Sequence, residues 1–183
     1  YEPFVEAFAR HGKAIRAGHA LESGSDIGPV ANGRRLAALG EMVRDVVDRG
    51  ARLLCGGERH AGAGYRFPFT VLADVPEAAR AMHEEPFGPL CLLAPVDSLD
   101  EAIERANGLP YGLAGYAFTR SAAHAYKIGD ELEVGNLAIN HLVSAVSETP
   151  FGGVKESGYG REGGVEGLEC YTQVKNISHL MAW

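Results

Sequence analysis

The sequence has few of the residues that staple, span or chelate. Its three cysteines, Cys55, Cys91 and Cys170, are odd in number and widely spaced. That argues against a disulfide framework and fits free thiols in a reducing, cytoplasmic compartment. No C-x-x-C or H-E-x-x-H occurs, and the seven histidines are scattered, so no metal site is expected. No apolar run approaches the ~20 residues that cross a bilayer, and no signal peptide is visible. Gly-Lys-Ser/Thr and Gly-x-Ser-x-Gly are both missing, which removes the P-loop and the hydrolase elbow. Positive charge is short as well: 17 Lys+Arg stand against 24 Asp+Glu, a formal charge of −7. Nucleic acid and anionic membranes would repel such a surface, so neither is an expected partner.

What is present is globular. The 183 residues, 46% of them hydrophobic, suffice to bury a core without a staple. The chain opens at Tyr1, without Met, inside a helical pattern, so a piece of a longer protein is expected. Phe4, Phe8 and Ile15 make one stripe of a helix over Tyr1–Ala17, with Pro3 in its first turn. Leu36, Leu39, Val43, Val46 and Val47 predict a second helix over Arg34–Arg49, stopped by Gly50. Strands are expected at 52–55, 67–75, 90–96, 113–119 and 134–141. Between them, Ser98–Glu101 caps a helix through Ala106, and Ser121 or Thr119 caps another through Leu132. This alternation is an α/β signature with a largely parallel sheet flanked by helices.

The pattern then changes. Residues 150–164 hold six glycines with Phe151, Val154 and Tyr159 interleaved, so the stretch is a structured loop and not a linker. Gly158-Tyr159-Gly160-Arg161-Glu162-Gly163 matches G-x-G-x-x-G. No buried strand leads into it and no acidic residue ends a second strand about 20 residues on, so it reads as a structural glycine loop. A short helix is expected over 165–170. Tyr171–Leu180 then alternates like a terminal strand that needs an existing sheet edge. All three cysteines read as structural: two lie in apolar strands and Cys170 ends a helix, where thiolate is disfavoured.

Glu84-Glu85-Pro86-Phe87-Gly88-Pro89 is the segment best suited to chemistry. In an extended chain Glu85 and Phe87 share a face. A carboxylate accepts hydrogen bonds only, and its two oxygens match the two hydroxyls of a ribose diol. The ring two residues on can lie against a planar heterocycle. A solvated loop with a core-facing Phe87 fits the same pattern.

These residues, with four further stretches, resemble the carboxy-terminal part of the aldehyde dehydrogenase superfamily along all 183 residues. The further stretches are Asn107–Tyr116, Gly135–Asn140, Pro150–Glu162 and Glu169–Lys175. Order and spacing agree. The resemblance implies that fold and NAD- or NADP-dependent oxidation of a small-molecule aldehyde to an acid through a cysteine nucleophile and a glutamate-activated water. It implies that Glu85 holds the nicotinamide ribose and that Phe87 packs beside the nicotinamide. Phe151 would line the aldehyde pocket, and Arg35 falls near a ribose-contacting position. Residues 1–170 would belong to the catalytic domain. Residues 171–183 would form the terminal strand of a homo-oligomer, a dimer or tetramer. The loop around Glu148–Gly153 looks closest to the succinate-semialdehyde branch, where a serine bonds the substrate's distal carboxylate. Ser144 is the choice for that role, with Ser147 the alternative.

One departure matters. The family's nucleophile lies in Gly-Gln-x-Cys, which does not occur here, and its general-base glutamate motif is likewise missing. The expectation is therefore a fragment with no catalytic residue of its own, inactive alone. A non-catalytic oligomerisation module and an unrelated α/β anion binder are the competing readings.

Overall fold

Two helices and a small sheet follow directly from the first ninety residues. The computed structural model describes residues 1–60, 64–143 and 145–181. Helix α1 (Glu2–Ala14) starts with Pro3 in its first turn, where a missing N–H costs nothing. Helix α2 (Gly33–Asp48) is capped by Asn32, whose side chain accepts from the Arg35 N–H at 3.0 Å. Strand β1 (Arg52–Cys55) pairs antiparallel with β2 (Thr70–Ala73), and β2 pairs parallel with β3 (Leu90–Leu93).

β2 is the centre of this unit. All four of its residues are buried, as a strand covered on both faces requires. Leu72 joins the core of Leu36, Leu39, Met42, Val43 and Val46 from α2, together with Phe67 and Val75. Val71 points the other way, where a Cβ on Gly12 of α1 would come within 2.9 Å of it. Phe8 and Phe69 close that side, their ring centroids 6.3 Å apart. The alternation of β2 thus splits the core between two helices.

The rest of the chain forms a second compact unit. The division falls between Pro95 and Val96. Helix α3 (Leu99–Asn107) is capped by Ser98 Oγ, which accepts from Glu101 N at 3.1 Å. Strands β4 (Tyr111–Gly112) and β5 (Ala114–Ala117) follow, then α4 (Ala122–Glu131), capped by Ser121. Strand β6 (Asn136–Ile139) pairs parallel with β5, and β7 (Val154–Lys155) pairs antiparallel with β4. A 3-10 turn spans Glu166–Tyr171.

The α/β class and the order of helices and strands agree with the sequence. Among the described residues the strands form three small sheets and not one largely parallel layer, with two parallel and two antiparallel pairings. Residues 56–69, between β1 and β2, carry no helix among their described residues, and an antiparallel return needs none. Residues 172–181 form no strand and are exposed. They pair with no described strand. The division expected at residue 170 concerns that strand and is taken up below as a proposal.

Candidate functional site

Helix α2 is the platform for the Glu84–Pro89 segment. Leu39 and Arg35 lie one turn apart on it, at i and i+4. A Cβ on Gly88 would meet Leu39 Cδ1 at 2.5 Å, so only glycine lets the segment lie this close. At the amino end of α2, Arg35 Nη1 donates to the Pro86 carbonyl at 3.0 Å and to the Glu85 carbonyl at 3.5 Å. Its guanidinium carbon sits 5.4 Å from the Phe87 ring centroid. Downstream, Thr70 N donates to the Pro89 carbonyl at 2.8 Å and delivers the chain into β3.

The two glutamates separate. Glu84 Oε1 is bonded to Arg80 Nε at 2.7 Å, and that guanidinium holds its carboxyl below the usual carboxylate range. It is a structural acid. Glu85 is exposed, and no described side chain is bonded to its carboxylate. Phe87 is 68% exposed and adopts φ +45°, a left-handed conformation that bulky residues seldom hold. The extended backbone expected for 85–87 is therefore absent: the chain turns at Phe87. The ring faces outward and not into the core, which removes the core-facing alternative. It borders a concavity of about 600 Å³ with Asn32, Arg34 and Arg35.

Phe151 lies in the second unit, half-buried. Its backbone forms a two-way bridge with Glu162, both bonds 2.7 Å. The glycine loop closes through that bridge beside a concavity of about 360 Å³ that Phe151 helps to line. Ser144 lies outside the described residues. Ser147 is exposed, and its carbonyl accepts from Gly164 N at 3.0 Å.

The glycine-rich stretch meets its own chain. A Cβ on Gly135 would sit 1.8 Å from the Gly152 carbonyl oxygen, and one on Gly152 would sit 2.6 Å from that of Gly160. Gly158, Gly160 and Gly163 all have positive φ, and no α-helix follows them among the described residues. The dinucleotide fingerprint is excluded here on that ground. The sequence pattern assigns no role to Asn107 and Asn140, and the structure gives both a task. Asn107 Nδ2 donates to the Glu131 carbonyl at 2.8 Å and its Oδ1 accepts from Glu133 N. Asn140 bonds both polar backbone atoms of Thr119. The only sequence signal for this was the density of Asn and Gly at the ends of elements.

Cys55 and Cys91 are half-buried, and burial pushes the Cys91 thiol up from its usual pKa. Cys170 is exposed, its Sγ near the Gly167 carbonyl. The thiol hydrogen bonds go to backbone carbonyls, Cys55 to that of Phe69 and Cys170 to that of Gly167. No group of His, Cys, Asp and Glu able to hold a metal occurs among the described residues, and no described helix is long and apolar enough to cross a membrane.

The site thus sets an exposed glutamate that no described side chain bonds two residues before an outward phenyl ring. Residues 1–177 match the sequence model of the aldehyde dehydrogenase family, and the chain belongs to that family. It is 47% identical over 180 residues to the 4-(hydroxymethyl)benzenesulfonate dehydrogenase TsaD1 of Comamonas testosteroni, covering 98% of this chain and 37% of that protein. Against the NADP(+) succinate-semialdehyde dehydrogenase GabD of Escherichia coli the identity is 36%, covering 96% and 36%. The NAD+ complex of an aldehyde dehydrogenase from Bacillus cereus superposes with a TM-score of 0.90 at 34% identity, again covering 96% and 36%. The chain thus spans little more than a third of the length of these relatives. Family membership removes the unrelated anion-binding reading.

Proposed function

We propose that this chain is part of an NAD(P)-dependent aldehyde dehydrogenase whose substrate is a small aldehyde carrying an acidic group, oxidised to the carboxylic acid. The observation that carries the reading is the exposed Glu85 carboxylate, bonded by no described side chain, two residues from the outward ring of Phe87, on a segment held against α2. The Glu85 carboxylate would accept from the nicotinamide ribose hydroxyls, and the Phe87 ring would pack beside the nicotinamide. The dinucleotide, when bound, supplies the hydride acceptor. Phe151 would shape the aldehyde pocket, and Ser144 would bond the substrate's acidic end.

The nucleophilic thiol and the general base are proposed to lie outside these 183 residues, since none of the three cysteines stands in Gly-Gln-x-Cys. The chain alone would then be inactive. Relatives named for a benzenesulfonate and for succinate semialdehyde support an anionic substrate, with sulfonate and carboxylate presenting similar acceptor oxygens. Val174, Ile177 and Leu180 are exposed on a segment without strand partners, which supports a homo-oligomer formed through residues 171–183.

The test is turnover by the protein expressed from its complete coding sequence. Succinate semialdehyde, a sulfonated aldehyde and an uncharged aldehyde of the same length are compared, each with NAD and with NADP. The reading expects an acidic aldehyde to have the higher kcat/KM. Equal or better use of the uncharged one rejects the substrate class.

A further inference from the structure

Arg35 is committed to one short segment. Its guanidinium spans the carbonyls of Glu85 and Pro86 at 3.5 and 3.0 Å and lies over the Phe87 ring at 5.4 Å. Its own backbone N–H is fixed by the Asn32 cap at 3.0 Å, and α2 beneath it is anchored by Leu36 and Leu39 in the core. The segment it grips is one that would not hold itself. Phe87 sits at φ +45°, a conformation that strains a bulky residue and persists only where neighbours over-determine it. Pro86 has no N–H to donate, and the Phe87 ring has little packing against the core. A guanidinium suits the task, because one of its nitrogens donates to the two carbonyls while its flat face lies against the aromatic ring. Lysine offers a point charge and no plane.

We infer that Arg35 is a positioning residue: it presents the Glu85 carboxylate and the Phe87 ring to the dinucleotide without touching the dinucleotide itself. This rests on the proposed cofactor reading. It also gives Arg35 a different task from direct ribose contact, since its Nη1 is directed at the chain's own carbonyls and its guanidinium lies over Phe87.

The experiment uses the protein from its complete coding sequence, with NADH dissociation constants read by fluorescence titration and kcat and KM measured for both substrates. Arg35→Ala is expected to raise the NADH dissociation constant and the dinucleotide KM about tenfold, the scale of losing one charge-assisted bond, with the aldehyde KM little changed. Arg35→Lys is expected to recover little of the loss. Should the alanine variant not fold, the lysine variant carries the same comparison. In a double-mutant cycle with Glu85→Ala, the second substitution adds little if Arg35 acts through Glu85. Fully additive losses, or an Arg35→Ala protein that binds NADH as the parent does, overturn the inference. If Glu85→Ala by itself leaves NADH binding unchanged, the cofactor reading has failed, and the positioning task falls with it.

Discussion

Asn136 Nδ2 donates to the Gly152 carbonyl at 2.8 Å and to the Leu113 carbonyl at 3.0 Å. The residue is 8% exposed, so one buried amide on β6 ties the glycine loop that bears Phe151 to Leu113, the residue before β5. Asn136→Asp removes both donors and sets a carboxylate against two carbonyl oxygens. A loss of about 2–4 kcal/mol is expected, read as a lowered denaturation midpoint. Asn136→Asp with parental stability would contradict this role.

Gly135→Ala tests the same junction from the backbone. The added methyl would have to occupy space 1.8 Å from the Gly152 oxygen, and rigid backbone cannot yield as a side chain does. Destabilisation of upwards of about 2 kcal/mol is expected, while Gly129→Ala, with open space at its Cβ, should be neutral or mildly stabilising. Comparable midpoints for the two variants would count against the close approach.

Stability should fall on the acid side. Asp45, held by the Arg80 backbone N–H and the Arg49 side chain, Asp74, bonded to Arg52, and Glu84, bonded to Arg80, all titrate below their usual range. A depressed folded-state pKa stabilises above the unfolded value, near pH 4, and that contribution is lost as pH falls through the folded value. Unfolding midpoints measured across that window should drop with acid, and Asp74→Asn should flatten the dependence. An unchanged slope in that variant would show that the Arg52 contact does not persist in solution.

Cys55 and Cys91 are both register partners of Val71, one on each side of β2. Two strand spacings put their Cα atoms about 9–10 Å apart, beyond the ~7 Å a disulfide can bridge. Oxidation of the folded protein should leave them unlinked by peptide mapping. Cys91 should alkylate slowly until denaturant is added. A Cys55–Cys91 disulfide would refute the register.

Much of this was legible in the chain. Ser98 and Ser121 announced their helices, because a side-chain acceptor before an apolar periodic run has few other uses. Four consecutive apolar positions at Leu90–Leu93 marked β3. The sheet directions were less so: β4 and β7 are two residues each, and a pairing that short leaves no periodicity. The turn at Phe87 was hidden because a positive φ at phenylalanine has no sequence signature; it follows from Gly88 resting on Leu39 and Arg35 gripping the carbonyls. The strand pattern of Tyr171–Leu180 was read from alternation alone, which cannot say whose edge it needs.

The account depends on the Glu85 carboxylate meeting the cofactor's ribose. The most direct measurement is the NADH dissociation constant of the complete protein with and without Glu85→Gln. The account predicts at least about tenfold weaker binding in the variant, the scale of losing a charged hydrogen bond, with the thermal midpoint unchanged because Glu85 bonds no described side chain. Equal affinity in the two proteins would contradict it.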